Sequence, residues 1–273
     1  MKTESPNPLS ALEARLADLK QASLPPDAAE ILDEIIKLAA EAKHEKAAFV
    51  STVAHELRTP MTSIMGYTDL LKGGMMGELN ESQLGFLTVI RENVGRMSKL
   101  VADLSDIYKI ESGRLKLEAL PMPLASAVNA GLDLTADQIE ARRQKVSVSL
   151  PNDLPMVFAD PKRAAQMVNY LLENAVRYSP EGSPIEIRAE SVGGTVRLLV
   201  TDHGIGIALA DQPHIFTQFF RSEVEEVRAH KGWGLSLATT RALTELGGGS
   251  AGYESTPGAG STFWVTFPAY TAD

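Results

Sequence analysis

Apolar residues recur at alternating steps of three and four through the first part of the chain, at Ala47, Val50, Ala54, Leu57, Met61, Ile64, Thr68 and Leu71. The rhythm resumes at Leu87, Ile90, Val94, Met97, Val101, Leu104 and Tyr108. Two long helices, each with a packing seam, are predicted, and Thr68 is the polar interruption. Asp27 followed by Glu30 has the form of an N-cap and its capping-box partner, so the first helix is expected over 27–72. At the α-helical rise it would be roughly 65 to 70 Å long. The stretch KGGMMGEL turns the chain, Asn80 and Gln83 cap the second helix, and Gly113 suits its end. A lone hairpin has too little partner surface for two seams. The pattern therefore predicts two hairpins in a four-helix bundle, a homodimerisation domain over 27–112. A hairpin packed only on its own C-terminal domain is the alternative. Upstream, Leu9, Leu12, Leu16 and Leu19 predict a short amphipathic helix that Pro25 and Pro26 stop, so 1–26 reads as helix and linker.

Beyond Gly113 the period shortens. RLKLEAL, VSVSL, MVFA, IEIRAE, TVRLLVT and STFWVTF read as strands, with helices over 124–143, from Pro161, and near 235–246. Residues 113–273 are expected to form an α+β sandwich, one sheet layered with helices. The fold class is thus multidomain, an all-α hairpin followed by an α+β sandwich.

Composition narrows the chemistry. The chain has 273 residues, of which 44% are hydrophobic and 22% charged, an ordinary globular balance for about two domains. A net charge of −9 argues against a nucleic-acid-binding surface, so any anionic ligand must be held by local groups. There are no cysteines, which excludes disulfides, thiolate metal sites and cysteine nucleophiles. The opening MKTESPNPLS lacks the pattern of a signal peptide, and no apolar run approaches the ~18 residues of a membrane span. A cytoplasmic location is expected.

The stretch FVSTVAHELRTPM carries polar groups on the first helix. With Ala54 and Leu57 in the seam, His55, Glu56 and Thr59 fall on outward positions. Pro60 removes a backbone donor and crowds the carbonyl of Glu56, so a bend is expected beside His55. An exposed imidazole is largely neutral near pH 7 and offers one nitrogen as a nucleophile, while Glu56 is placed to hold the opposite N–H. Thr59, four residues on, offers a hydroxyl to orient a water. These residues leave two readings open, a phosphoacceptor or a solvated helix face.

Four stretches of the second domain bear on that choice. NYLLENAVRYSPEG begins as an amphipathic helix with Met167, Val168, Leu171, Leu172 and Ala175 on its apolar face, and Tyr170, Asn174, Arg177 and Tyr178 away from it. An amide, a cation and a ring there suit a magnesium ion, a phosphate and a base; an ordinary polar face is the alternative. TDHGIGI ends a strand in Asp202, suited to an adenine amino group, with Gly204 and Gly206 allowing close backbone approach to a ligand. KGWGLSLA sets Gly232, Gly234 and Leu235 at a helix start, where free N–H groups favour phosphate. PGAGSTF reads as a turn between strands.

In this order, with HIFTQFFR between the glycine stretches, the set resembles the catalytic portion of a sensor histidine kinase over about residues 30–270. The stretches correspond to its H, N, first glycine, F and second glycine boxes. The resemblance implies a dimeric phosphoacceptor hairpin joined to an ATP-binding domain of the GHKL type. It implies that His55 attacks the γ-phosphate of ATP and that an aspartate of a response regulator then takes the phosphoryl group. By the same resemblance Asn174 ligates Mg2+, Asp202 reads adenine, and Arg177, Tyr178 and the glycine backbones line the nucleotide. HIFTQFFR borders a lid over 208–231, and the H-E-x-x-T arrangement, with Thr59, is associated with dephosphorylating the regulator.

Three positions depart from the family pattern. Tyr170 stands where a second asparagine is common, Trp233 where a small residue is common, and Ser236 where a third glycine is common. Trp233 makes a dimeric signalling scaffold without catalysis one alternative. A hydrolytic GHKL ATPase is the other, although Tyr170 occupies the place of its water-activating glutamate.

Overall fold

In the computed structural model of the protein, the described residues are 25–271 together with Leu16 and Leu19. The rest of the expected N-terminal helix lies outside them. The chain divides into two compact units, one up to Leu115 and one from Lys116.

The first unit is a helical hairpin of α1 (Pro26–Lys72) and α2 (Glu81–Glu111). α1 starts one residue before the expected site, and Asp27 is not its cap: Pro25 holds that position, and among the described residues no side-chain cap bond closes the helix start. Proline at the first helical position has a helical φ and no N–H to satisfy, which leaves Asp27 in the first turn, where its charge suits the helix dipole. α2 has the expected capping box, in which the Gln83 N–H donates to Asn80 Oδ1 and the Asn80 N–H to Gln83 Oε1, both at 2.9 Å. α1 stays helical through Pro60.

The seam divides in two. Ala54 (4% exposed) and Met61 (3%) are buried, whereas Leu57 (41%) and Ile64 (44%) between them are exposed. On α2, Val94 and Val101 are buried, and Ile90 and Met97 are exposed. Every second apolar position therefore closes the hairpin, where Ala54, Met61, Val94 and Val101 form one cluster with Met65 against it. Thr68 is buried within the seam, and its hydroxyl donates to the Ile64 carbonyl at 2.7 Å.

The second unit contains β1 (Leu120–Met122), α3 (Leu124–Ala141), β2 (Lys145–Ser149), β3 (Val157–Ala159), α4 (Pro161–Tyr178), β4 (Pro184–Val192) and β5 (Thr195–Asp202). A lid segment with a short helix α5 (Glu225–Ala229) follows, then α6 (Ser236–Leu246), β6 (Ala251–Thr256) and β7 (Gly260–Pro268). The main sheet has the order β2-β4-β5-β7-β6, with β2 parallel to β4 and the other pairs antiparallel. β1 and β3 form a separate antiparallel pair.

Two expectations are corrected. Of RLKLEAL only Leu120 is in a strand. The N–H groups of Arg114 and Leu115 instead close the end of α2 by donating to the Lys109 carbonyl. The helix expected over 124–143 ends at Ala141. β6 was not signalled, because Gly252 interrupts any apolar alternation.

The sheet buries one face against the helices. Val196, Leu198, Val200 and Asp202 of β5 are all buried, as are Ile185, Ile187, Val265 and Phe267 on neighbouring strands. α4 lies against β5, α3 and α6 and buries Val168, Leu171 and Leu172. Each such side chain contributes about 1.5–3 kcal/mol. The period of two along β5 puts Asp202 in this buried series, which fixes a carboxylate at the C-terminal edge of the layer.

The other face is tied down by Trp264. Its indole lies so close to Gly252 that a Cβ there would come within 2.1 Å of Cζ2, and the Arg197 guanidinium sits 4.8 Å from the ring centre. Gly252→Ala is therefore expected to displace the indole, change its fluorescence and cost about 1–3 kcal/mol in denaturant unfolding, in the range for overpacking. Unchanged stability and emission would contradict this packing.

Candidate active site

On α1, the side chains of His55 and Glu56 are both more than three-quarters exposed, and His55 Nδ1 lies 3.9 Å from Glu56 Oε1. That is too long for a hydrogen bond but close enough for attraction once the ring carries charge. His55 and Thr59 line one shallow groove with Arg58, Thr62 and Ser63, three residues the sequence did not single out. Thr62 and Ser63 direct their hydroxyls to the carbonyls of Arg58 and Thr59, at 2.9 and 3.2 Å.

The other candidates lie in the second unit. Asn174, Arg177 and Tyr178 share α4, three and four residues apart, so they lie on one side of the helix. Tyr170 and Asn174 were expected away from the apolar face, yet both are buried, because α4 is covered almost all round. The Tyr170 hydroxyl accepts a hydrogen bond from Gln166 Nε2 at 3.0 Å. Glu173 lies 4.0 Å from Arg177. Asn174 is 9% exposed.

Asp202 is buried and accepts from the Gly204 N–H at 2.9 Å. Burial pushes its carboxyl above the ordinary range, opposed by the N–H groups of Gly204 and Ser261 and the charge of His203. Gly204 passes so close to the end of α4 that a Cβ would lie 2.2 Å from the Tyr178 carbonyl oxygen, which also accepts from the Ile205 N–H at 3.2 Å. At Gly206, with φ +64°, a Cβ would lie 2.1 Å from the Thr256 carbonyl. Both glycines thus meet protein backbone, so packing by itself already requires a residue without a Cβ at these positions.

Gly234 behaves likewise: its φ is +68° and a Cβ would lie 2.3 Å from the Phe220 carbonyl. Gly232 differs. The nearest atoms to its virtual Cβ are the guanidinium tips of Arg177, at 3.4 Å, and Arg221, at 3.9 Å. Leu235 is buried and caps α6 without any side-chain bond to the helix start, and Ser236 is the first helical residue. Trp233 is 53% exposed.

The sequence placed Arg221 at the end of HIFTQFFR without a role and gave no sign of Arg142 or His230. Arg221 donates to the carbonyls of Val227, at 2.9 Å, and of His230 and Gly232. The His230 ring stands edge-on to Tyr178, with centroids 5.7 Å apart and planes at 88°. Arg142, at the end of α3, donates to the Ser179 carbonyl at 2.7 Å. No local motif joins these residues; the fold alone assembles them.

Residues 45–113 match the His Kinase A (phospho-acceptor) domain, and residues 159–271 match the Histidine kinase-, DNA gyrase B-, and HSP90-like ATPase family. The chain is 32% identical over 238 residues to the signal transduction histidine-protein kinase BarA of Escherichia coli (strain K12), covering 85% of this chain and 26% of BarA. It is also 32% identical over 242 residues to the circadian input-output histidine kinase CikA of Synechococcus elongatus, covering 88% of this chain and 32% of CikA. It therefore spans about a quarter to a third of the length of these relatives. Among solved structures, full-length ShkA in complex with AMPPNP superposes with a TM-score of 0.67 at 26% identity, over 82% of this chain and 47% of that one. The Acinetobacter baumannii histidine kinase AdeS gives 0.56 at 26% identity, over 80% of this chain and 98% of that one. With a phosphoacceptor hairpin and an ATPase-type domain in the same order as these proteins, the chain belongs to the sensor histidine kinase family and comprises its catalytic portion.

Proposed function

We propose that the protein is an ATP-dependent histidine autokinase that phosphorylates His55 and passes the phosphoryl group to an aspartate of a response regulator. The observation that carries this reading is His55 itself: solvent-facing, beside Glu56 at 3.9 Å, in a groove it shares with Thr59. The lone pair of one ring nitrogen forms the N–P bond while the bond from the γ-phosphorus to the departing ADP oxygen breaks. Glu56 attracts the positive charge that develops on the ring and receives its Nδ1 proton.

In the second unit, Asp202 is suited to accept from the adenine amino group. Arg177, Tyr178, Gly232 and the N-terminal N–H groups of α6 are suited to the phosphates, with the backbones of Gly204, Gly206 and Gly234 and the buried Leu235 shaping the wall. The Asn174 amide, nearly buried on the helix that also carries Arg177 and Tyr178, fits a magnesium ligand. Among the described residues no three His, Asp or Glu side chains gather to hold a metal by themselves, which suits an ion carried in with the phosphates. When bound, magnesium would neutralise phosphate charge. The exposed Trp233 favours catalysis over a scaffold whose site is plugged by indole.

The dimer follows from the divided seam. Leu57, Ile64, Ile90 and Met97 form an apolar set that the hairpin leaves open, and a second copy would cover it as a four-helix bundle. Among the described residues no helix is long and apolar enough to cross a membrane.

Three predictions follow from these placements. Incubation with γ-labelled ATP and magnesium should give an acid-labile, base-stable phosphoprotein. His55→Gln should abolish the label, whereas Thr59→Ala should keep it and slow decay of the phosphorylated regulator severalfold; label surviving in the His55 variant would refute the assignment. In nucleotide titrations, Asn174→Ala should lose magnesium-dependent binding, and Asp202→Asn should weaken ATP and adenosine alike while the fold persists. Because burial disfavours the Asp202 carboxylate, that variant should also be at least as stable as the parent above the raised pKa, where the parent must keep a buried charge; a marked loss of Tm would point to a structural role instead. Light scattering should give twice the chain mass, and Leu57→Asp with Ile64→Asp should give a monomer. A parent protein that is already monomeric would overturn the bundle.

A further inference from the structure

The lid returns to the end of α4 in an arrangement dense with cations. Arg221 gathers the carbonyls of Val227, His230 and Gly232 on one guanidinium, which ties down the returning segment of the lid. That segment lays the His230 ring on Tyr178 and sets Gly232 beside Arg177. Arg142 reaches the Ser179 carbonyl, one residue beyond Tyr178. Three guanidiniums, from the end of α3, from α4 and from the lid, therefore act on one imidazole. Lys231 adjoins it in sequence, and Glu173, 4.0 Å from Arg177, is the carboxylate paired there.

Guanidinium groups do not deprotonate in proteins, so this cluster calls for an anion. We propose that His230 is a further nucleotide-binding residue, one that becomes a cation and contacts the polyphosphate when nucleotide docks. The inference rests on the nucleotide-binding reading above. In the free protein, burial chiefly, and then the charges of Arg142, Arg177 and Arg221, hold the imidazole below its ordinary range, so near neutral pH it is uncharged. A polyphosphate reverses the sign of the local field. The arginines then face negative charge, the imidazolium gains a partner, and its pKa rises. Between the free and bound values, docking therefore draws one proton from solvent onto the ring. Linkage fixes the direction: the His230 contribution to affinity grows as pH falls through the bound value and levels off below the free one.

The test is calorimetric titration of the full chain with magnesium-ATP at pH about 6.5, in buffers of different ionisation enthalpy, with adenosine as the phosphate-free control. Protons released or bound by ATP itself are common to all variants and cancel in the difference. The parent should take up about 0.3 to 0.7 proton more than His230→Gln or His230→Phe. Both variants should bind ATP about 3- to 10-fold more weakly, with adenosine affinity unchanged. His230→Phe keeps an aromatic edge for Tyr178, so it separates packing from charge. Equal proton uptake in parent and variants would overturn the proposal, as would equal losses for ATP and adenosine, which would mark a packing role. A parent that binds neither ligand would instead refute the nucleotide-binding reading itself.

Discussion

The nucleotide half of the molecule depends on backbone meeting backbone at distances that no side chain tolerates. Gly204 lies against the carbonyl that ends α4, Gly206 against the end of β6, and Gly234 against the root of the lid. A Cβ at any of them would fall within 2.3 Å of a carbonyl oxygen, well inside contact distance. These approaches join elements far apart in sequence into one rigid floor. Asp202, Tyr178 and the start of α6 keep their mutual positions because the chain between them cannot be pushed apart without losing hydrogen bonds such as Ile205 N–H to Tyr178 O. The glycine motifs act first on protein architecture, and the ligand-facing surface is a consequence.

In the helical half the controlling constraint is geometric in another way. A seam with a period of seven has two sub-rows, and one antiparallel partner covers only one of them. Ala54, Met61, Val94 and Val101 close the hairpin, while Leu57 and Ile64 remain outward. His55 and Glu56, next in sequence to residues of both sub-rows, are carried on a face that neither row uses. The same repeat that builds the core thus keeps the imidazole accessible, as the proposed receipt and transfer of a phosphoryl group would require.

Much of this was legible before any coordinates. Periodicity identified both long helices, the Asn80–Gln83 box located the start of α2, and strand alternation gave β2, β3, β4, β5 and β7, because each signal is local. What failed was local signal overridden by neighbours. The start of α1 was decided by Pro26, which needs no N–H partner, rather than by Asp27. The pattern in RLKLEAL resembles a strand, but that segment spends its amides on the end of α2 and on Asp160. Gly252 concealed β6, since its missing side chain is filled from β7 by Trp264. In the candidate site, Asn174, Arg177, Tyr178, Asp202 and Gly232 stood in readable motifs. Arg221 ended the readable stretch HIFTQFFR without a role being legible there, and Arg142 and His230 stood in no motif, since an arginine closing a helix and a histidine in a loop have many solvated precedents and meet only in the folded chain.

Those three residues also resolve a tension set by composition. A chain of net charge −9 repels a polyphosphate at long range, so attraction has to be concentrated where screening is weak and geometry fixed. Concentrated cations repel one another in turn, and the structure offsets this with oxygen dipoles rather than with many carboxylates. Arg221 lies on three carbonyls and Arg142 on a fourth, with Glu173 the partner of Arg177. Carbonyl dipoles stabilise a guanidinium without neutralising it, so the positive field survives to act on an incoming anion. A carboxylate at each position would have cancelled that field, and neutral side chains would not have generated it. Dipole-bound arginines keep this cluster cationic on an acidic protein, and on the proposal above they place the imidazole of His230 where its charge would follow the occupancy of the site.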